Sequence, residues 1–66
     1  MKNTVKEERL KKQLTQVELA GMVNVSRQTI FSIEVGKYVP SVVLSIKLAK
    51  ALEKRVEDVF KLEVSD

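Results

Sequence analysis

The stretch from Thr15 to Gly36, TQVELAGMVNVSRQTIFSIEVG, constrains this chain more than any other. Thr15 followed three residues later by Glu18 is a capping box. The hydroxyl accepts from the N3 backbone N–H while the carboxylate reaches back to the N-cap. Leu14 and Leu19 stand where a hydrophobic staple clamps the start of such a helix. The same grammar returns at Ser26, with Val25 and Ile30 as the staple pair. Gly36 ends the second helix, since glycine enters the left-handed conformation at C′ without steric cost. The pattern predicts helices over about Gln16–Val23 and Arg27–Val35, joined by a tight turn.

The interior spacing says how the two helices meet. Leu19, Ala20 and Val23 fall on one face of the first, Ile30 and Ile33 on one face of the second, and Val25 plugs the turn. Two amphipathic helices sharing one apolar corner cross steeply, as in a helix-turn-helix. The outward face of the second helix is then Arg27, Gln28, Thr29, Phe31 and Ser32, beside the capping Ser26. Arg can bond two atoms of a guanine edge and Gln two of an adenine edge. Ser and Thr can bond bases or phosphates. A plain solvated face explains the same residues taken alone; the turn geometry favours nucleic-acid reading.

Composition narrows the alternatives. Sixty-six residues make at most one domain, with a modest core and marginal stability. There is no cysteine and no histidine, so disulfides and the usual zinc sites are excluded as staples. Oligomerisation is the remaining common device. Enzymatic acid–base work has only carboxylates, lysines and hydroxyls to draw on, and no pair of them has a suggestive spacing. No metal site, cofactor or small-molecule effector is expected. No signal peptide follows Met1, and the longest aliphatic run, Val42-Val43-Leu44, is far too short to cross a bilayer; a cytoplasmic location is the expectation. Residues 1–55 carry eleven Lys and Arg against five acids, whereas residues 56–66 carry one Lys against four acids. A basic body with an acidic tail suits a domain that meets a polyanion with one side.

LTQVELAGMVNVSRQTIFSIEVGKYVPS closely resembles the Xre/Cro-type helix-turn-helix repressors, in the words LTQ-ELA, VSRQTI, IE-G and KYVPS. The likeness covers about residues 5–60. It implies an all-α, five-helix, lambda-repressor-like domain that binds double-stranded DNA with its third helix. It implies that Arg9 pairs with Glu34 of the IE-G word, which would relieve the cost of a lone charge near the inner face. It implies a phosphate contact for Gln16, whose place in the first turn of its helix also suits an anion; a plain surface glutamine is the other reading. Lys37 and Tyr38 fall where the family meets the sugar-phosphate backbone, although Tyr38 could instead be packed with its hydroxyl outward. Phe31 could touch a thymine methyl or pack on a neighbouring loop. The chain departs from the family at Gln13 and Asn24, where glycine is usual. The turn into Leu14 is therefore expected to be less tight, whereas asparagine tolerates the left-handed conformation. It departs again at Glu53-Lys54-Arg55, which replace a Gly-x-Ser turn.

The flanks are read from their own patterns. Met1–Asn3 is expected to fray, and Thr4 to cap a first helix to about Lys12, with Val5 and Leu10 as apolar contacts. Gly21, interior to its helix, hints at a close neighbour. Ser41 caps a fourth helix to about Leu52 or Glu53, with Leu44, Leu48, Ala51 and Leu52 as core stripe. Val42, Ile46 and Ala49 form a second apolar face that needs a partner. A short fifth helix, about Val56–Phe60, follows with an uncertain start. Phe60, Leu62 and Val64 then alternate with polar residues, the period of a strand. With no partner expected in its own chain, this strand is assigned to the tail, 61–66, as a ribbon shared across a homodimer; a disordered acidic tail is the alternative. The dimer interface is thus expected at Val42, Ile46, Phe60, Leu62 and Val64. The function expected is a sequence-specific transcriptional regulator, a repressor on a palindromic operator. An antitoxin-type regulator, or a protein-interaction module that lost DNA binding, are the rival readings.

Overall fold

The computed structural model describes all residues from Met1 to Asp66. Five helices follow one another: α1 Val5–Lys11, α2 Gln16–Val23, α3 Arg27–Glu34, α4 Val42–Ala51 and α5 Val56–Val59. Two short strands, β1 Lys2–Asn3 and β2 Phe60–Lys61, pair antiparallel, with Lys2 opposite Lys61 and Asn3 opposite Phe60.

The caps act as their sequence dictates at three helices. Thr15 Oγ1 accepts from the Glu18 N–H at 3.0 Å while Glu18 accepts from the Thr15 N–H at 2.8 Å, a complete capping box. Ser26 and Ser41 accept from the N–H groups of Thr29 and Leu44. Each such cap is worth about 1 kcal/mol. The first helix differs from expectation. Thr4 makes no side-chain cap; Asn3 Oδ1 accepts from the Val5 N–H instead, and Thr4 is turned to the Asp58 carbonyl.

Helix ends hold a second correction. Gln13 adopts φ 58°, so the Leu14 N–H reaches the Arg9 carbonyl and the Gln13 N–H that of Leu10, and the turn closes without a glycine. Glu53 does the same after α4, with Lys54 bonded to Ala49 and Glu53 to Lys50. Asn24 takes φ 61° and ψ 47°, the left-handed turn expected of it. Of the four residues at positive φ, Gly36, at φ 81°, and Asn24 have types that this conformation favours; Gln13 and Glu53 do not. The hydrogen bonds of the helix stop offset the strain of a side chain in the left-handed region.

The core joins Val5, Leu19, Ala20, Val23, Ile30, Ile33, Leu44, Leu48, Ala49, Leu52 and Val59. Leu14, Val25, Ala51 and Phe60 pack at its margin. Ala49 is buried with the core stripe rather than on the outer face of α4, because its small side chain points into the packed side of the helix. Leu10 is 55% exposed and contributes little to the core. Gly21 has no neighbour within 4 Å of where a Cβ would stand, so close approach does not explain it.

The largest correction is at the termini. The first residues are not frayed: they supply the partner that the C-terminal strand was expected to lack. Thr4 N–H bonds the Val59 carbonyl at 2.9 Å, which starts the pairing, and the Met1 ammonium lies 3.0 Å from Glu63 and 3.1 Å from Asp66. The ribbon therefore closes within one chain. Leu62 and Val64 lie beyond it, exposed. No helix is long and apolar enough to cross a membrane.

Candidate nucleic-acid interface

α3 is divided sharply along its length. Ile30 and Ile33 are fully buried, while Arg27, Gln28 and Phe31 stand in solvent. Its N-terminus is held by Ser26, whose hydroxyl also lies 2.9 Å from that of Thr29. Ser26 and Thr29 are thus engaged with each other in the cap. Thr29 and Ser32 are partly buried. Among the residues assigned to DNA reading on this face, Arg27, Gln28 and Phe31 are the freely projecting ones. Phe31 is 39% exposed, so part of its ring meets solvent and the rest is covered.

Two concavities gather the remaining residues. One, of about 540 Å³, runs between the end of α1 and the start of α2 and is bounded by Gln16 and Arg27. The other, of about 250 Å³, is formed by Gln28, Thr29, Ser32 and Tyr38. Tyr38 is brought beside Gln28 because the stop of α3 folds back: the N–H groups of both Lys37 and Tyr38 reach the Ser32 carbonyl, at 2.9 and 3.2 Å. Tyr38 is half exposed and Lys37 exposed, both next to the helix they follow.

An ion pair underlies this face. Arg9 Nε donates to Glu34 Oε2 at 2.7 Å and its second terminal nitrogen to Oε1 at 3.2 Å, a bidentate contact. Arg9 also donates to the Leu14 carbonyl at 2.9 Å. The Glu34 side chain is only 3% exposed. Gln16 Nε2 donates to the same carboxylate at 3.1 Å, which orients the amide at the start of α2. A buried carboxylate here would repel a phosphate approaching Gln16; the guanidinium neutralises it. Helix geometry leaves first-turn N–H groups of α2 facing outward beside that amide, a favourable place for an anion.

A different surface lies on α4 and α5. Val42 is 76% and Ile46 43% exposed, and with Val39, Pro40, Val56 and Phe60 they line a groove of about 450 Å³. Sequence reasoning named Val42, Ile46 and Phe60 for a shared surface. It missed Val39, Pro40 and Val56, which join only when the loop before α4 folds against α5. It also missed Asn3, whose Nδ2 donates to the Ile33 carbonyl of α3 at 2.9 Å; an Asn-Thr pair ahead of a helix was the available signal.

Comparison with known proteins places this geometry. The helix-turn-helix family model matches residues 5–59. An uncharacterised HTH-type transcriptional regulator of Bacillus subtilis, YgzD, is 49% identical over 63 residues, covering 96% of each chain. A second, from Methanocaldococcus jannaschii, is likewise 49% identical with 96% of each chain covered. Among solved structures, the restriction-modification controller protein C.AhdI of Aeromonas hydrophila superposes with a TM-score of 0.79 at 32% identity, over 85% of both chains.

Proposed function

Since this chain belongs to the Xre-type helix-turn-helix family of DNA-binding transcriptional regulators, we propose that it is a repressor that binds a palindromic operator as a homodimer. The observation that supports base reading is the division of α3, whose apolar face is fully buried while Arg27 and Gln28 project outward. α3 enters the major groove, where Arg27 and Gln28 read base edges and Phe31 offers apolar contact to a thymine methyl. Gln16, Lys37 and Tyr38 meet the sugar-phosphate backbone on either side and set the frame, with Ser26, Thr29 and Ser32 lending hydroxyls at the margin.

The groove of α4 and α5 supports the dimer. Exposed apolar side chains grouped on one surface of a small domain mark a protein contact, and a second copy offers the same surface. Val42, Ile46 and Phe60 form its centre. Two-fold assembly would set the recognition helices about 34–36 Å apart, one turn of DNA, hence a palindrome.

Selection of the protein against random duplexes at physiological salt tests this reading. Enrichment of a palindrome is expected; enrichment of no sequence would overturn base reading. Ile46→Asp is expected to yield a monomer by light scattering, and a dimer that survives it would move the interface elsewhere.

A further inference from the structure

Asn3 touches three elements at once. Its backbone pairs with Phe60 in the ribbon. Its Oδ1 accepts from the Val5 N–H at 3.1 Å, at the start of α1. Its Nδ2 donates to the Ile33 carbonyl at 2.9 Å, in the last turn of α3 and thirty residues away in sequence. The same carbonyl accepts the Gly36 N–H at 3.0 Å. A carbonyl oxygen has two lone pairs, so one bond closes the helix stop and the other ties it to the ribbon.

The other anchors of α3 act through its cap or its side chains, among them Ile33 of the last turn, buried in the core. Ser26 fixes its first turn, and Arg9 holds Glu34 through two long side chains. Asn3 is the side chain that bonds the backbone of the last turn directly. We infer that Asn3 is a positioning residue for DNA reading, which ties the C-terminal end of α3 to the terminal ribbon and sets the pitch at which Arg27 and Gln28 meet a base pair. The inference rests on the reading of α3 as the recognition helix. Bidentate contacts to base edges demand fixed geometry, whereas phosphate contacts position the protein without reading sequence. Losing the tie should therefore weaken operator binding and spare nonspecific binding.

Asn3→Ser separates the two roles of the side chain. Its hydroxyl still serves as acceptor at the start of α1, but it is too short to reach Ile33. Affinity is measured for the operator enriched from random duplexes and for a scrambled duplex of equal length, at one salt concentration. The operator is expected to weaken about three- to tenfold, the scale of one neutral hydrogen bond, with the scrambled duplex within about twofold and the salt slope unchanged. Amide exchange at Gly36 and Lys37 should quicken while that of α2 stays as it was. Parallel weakening of both duplexes, or no change in either, would overturn the inference.

Asn3→Asp is the second variant, and it serves if Asn3→Ser folds poorly. It keeps an acceptor at the start of α1, where negative charge is favoured, and sets a carboxylate against the Ile33 carbonyl. It should lose at least as much operator affinity as Asn3→Ser, and retention of full affinity would again overturn the inference. Should the unsubstituted protein enrich no sequence, base reading itself fails. Unchanged exchange at Gly36 and Lys37 in either variant would separately show that Asn3 does not hold α3.

Discussion

The helix-turn-helix corner and the terminal ribbon are held by bonds of one kind over very different distances along the chain. Thr15 and Glu18 cap α2 across three residues. Thr4 and Asp58 meet across fifty-four, and Asn3 and Ile33 across thirty. A local bond forms wherever its short sequence adopts the helix start, because almost no chain has to be closed around it. A distant one bears the entropy of closing a long loop, and only a folded core brings its partners together. The corner should therefore keep its local structure under substitutions that loosen the ribbon, while the ribbon should fail whenever the core does.

The sharpest way to break that contrast is at Arg9, which ties α1 to the corner. Arg9→Ala leaves the Glu34 carboxylate buried without a counter-charge, bonded only by the neutral Gln16 amide, at an expected cost of about 3–5 kcal/mol. Denaturant unfolding should show the loss, and a cost near zero would mean that water reaches Glu34. Arg9→Met combined with Glu34→Leu should recover most of the stability, because it removes both charges at once.

Next come the contacts assigned to DNA. Arg27→Ala or Gln28→Ala should each lose roughly 1–3 kcal/mol of operator binding and relax preference at one base pair. Lys37→Ala should weaken all duplexes alike and lower the salt slope by about one. Equal behaviour of Arg27→Ala and Lys37→Ala in binding titrations would withdraw base reading from Arg27.

The two glycines should answer with opposite sign. Gly21 sits in α2 with open space around it, so Gly21→Ala should stabilise by about 1 kcal/mol. Gly36 has φ 81°, so Gly36→Ala should destabilise by about 1 kcal/mol. In a domain this size each change should move the thermal midpoint by about 4–8 °C.

The smallest effect lies at an exposed ion pair. A hydrogen bond from Lys12, and then its charge, hold the Glu53 carboxyl below its ordinary value of 4.5. A lowered folded pKa gives a contribution that is full above the ordinary value and lost as pH falls through the lowered one. The midpoint difference between the parent and Lys12→Ala should therefore shrink in acid. Both groups meet solvent, so it should be slight at neutral pH as well.

The corner was legible because its determinants are neighbours. Caps at Thr15 and Ser26, the staple residues and Gly36 each act within one turn, and the boundaries of α2 and α3 follow from them within a residue. The division of α3 into a buried and a projecting face was legible too, since helical period alone assigns residues to faces. Gln13 and Glu53 misled because residue type predicts the left-handed conformation only on average. There the bonds Leu14 to Arg9 and Lys54 to Ala49 outweigh the steric preference. Alternation at Phe60, Leu62 and Val64 announced a strand, but only Phe60 and Lys61 form one, and alternation carries no information about the partner.

The sequence by itself determined the helices, their caps and the polar face of α3, because these depend on atoms a few residues apart. Only the tertiary structure decided that the first residues pair with β2, that Asn3 reaches Ile33, and that Val39, Pro40 and Val56 line one groove with Ile46. Those contacts join segments whose meeting depends on where the whole core places them. Hydrophobic burial fixes that placement without regard to which polar atoms it brings face to face.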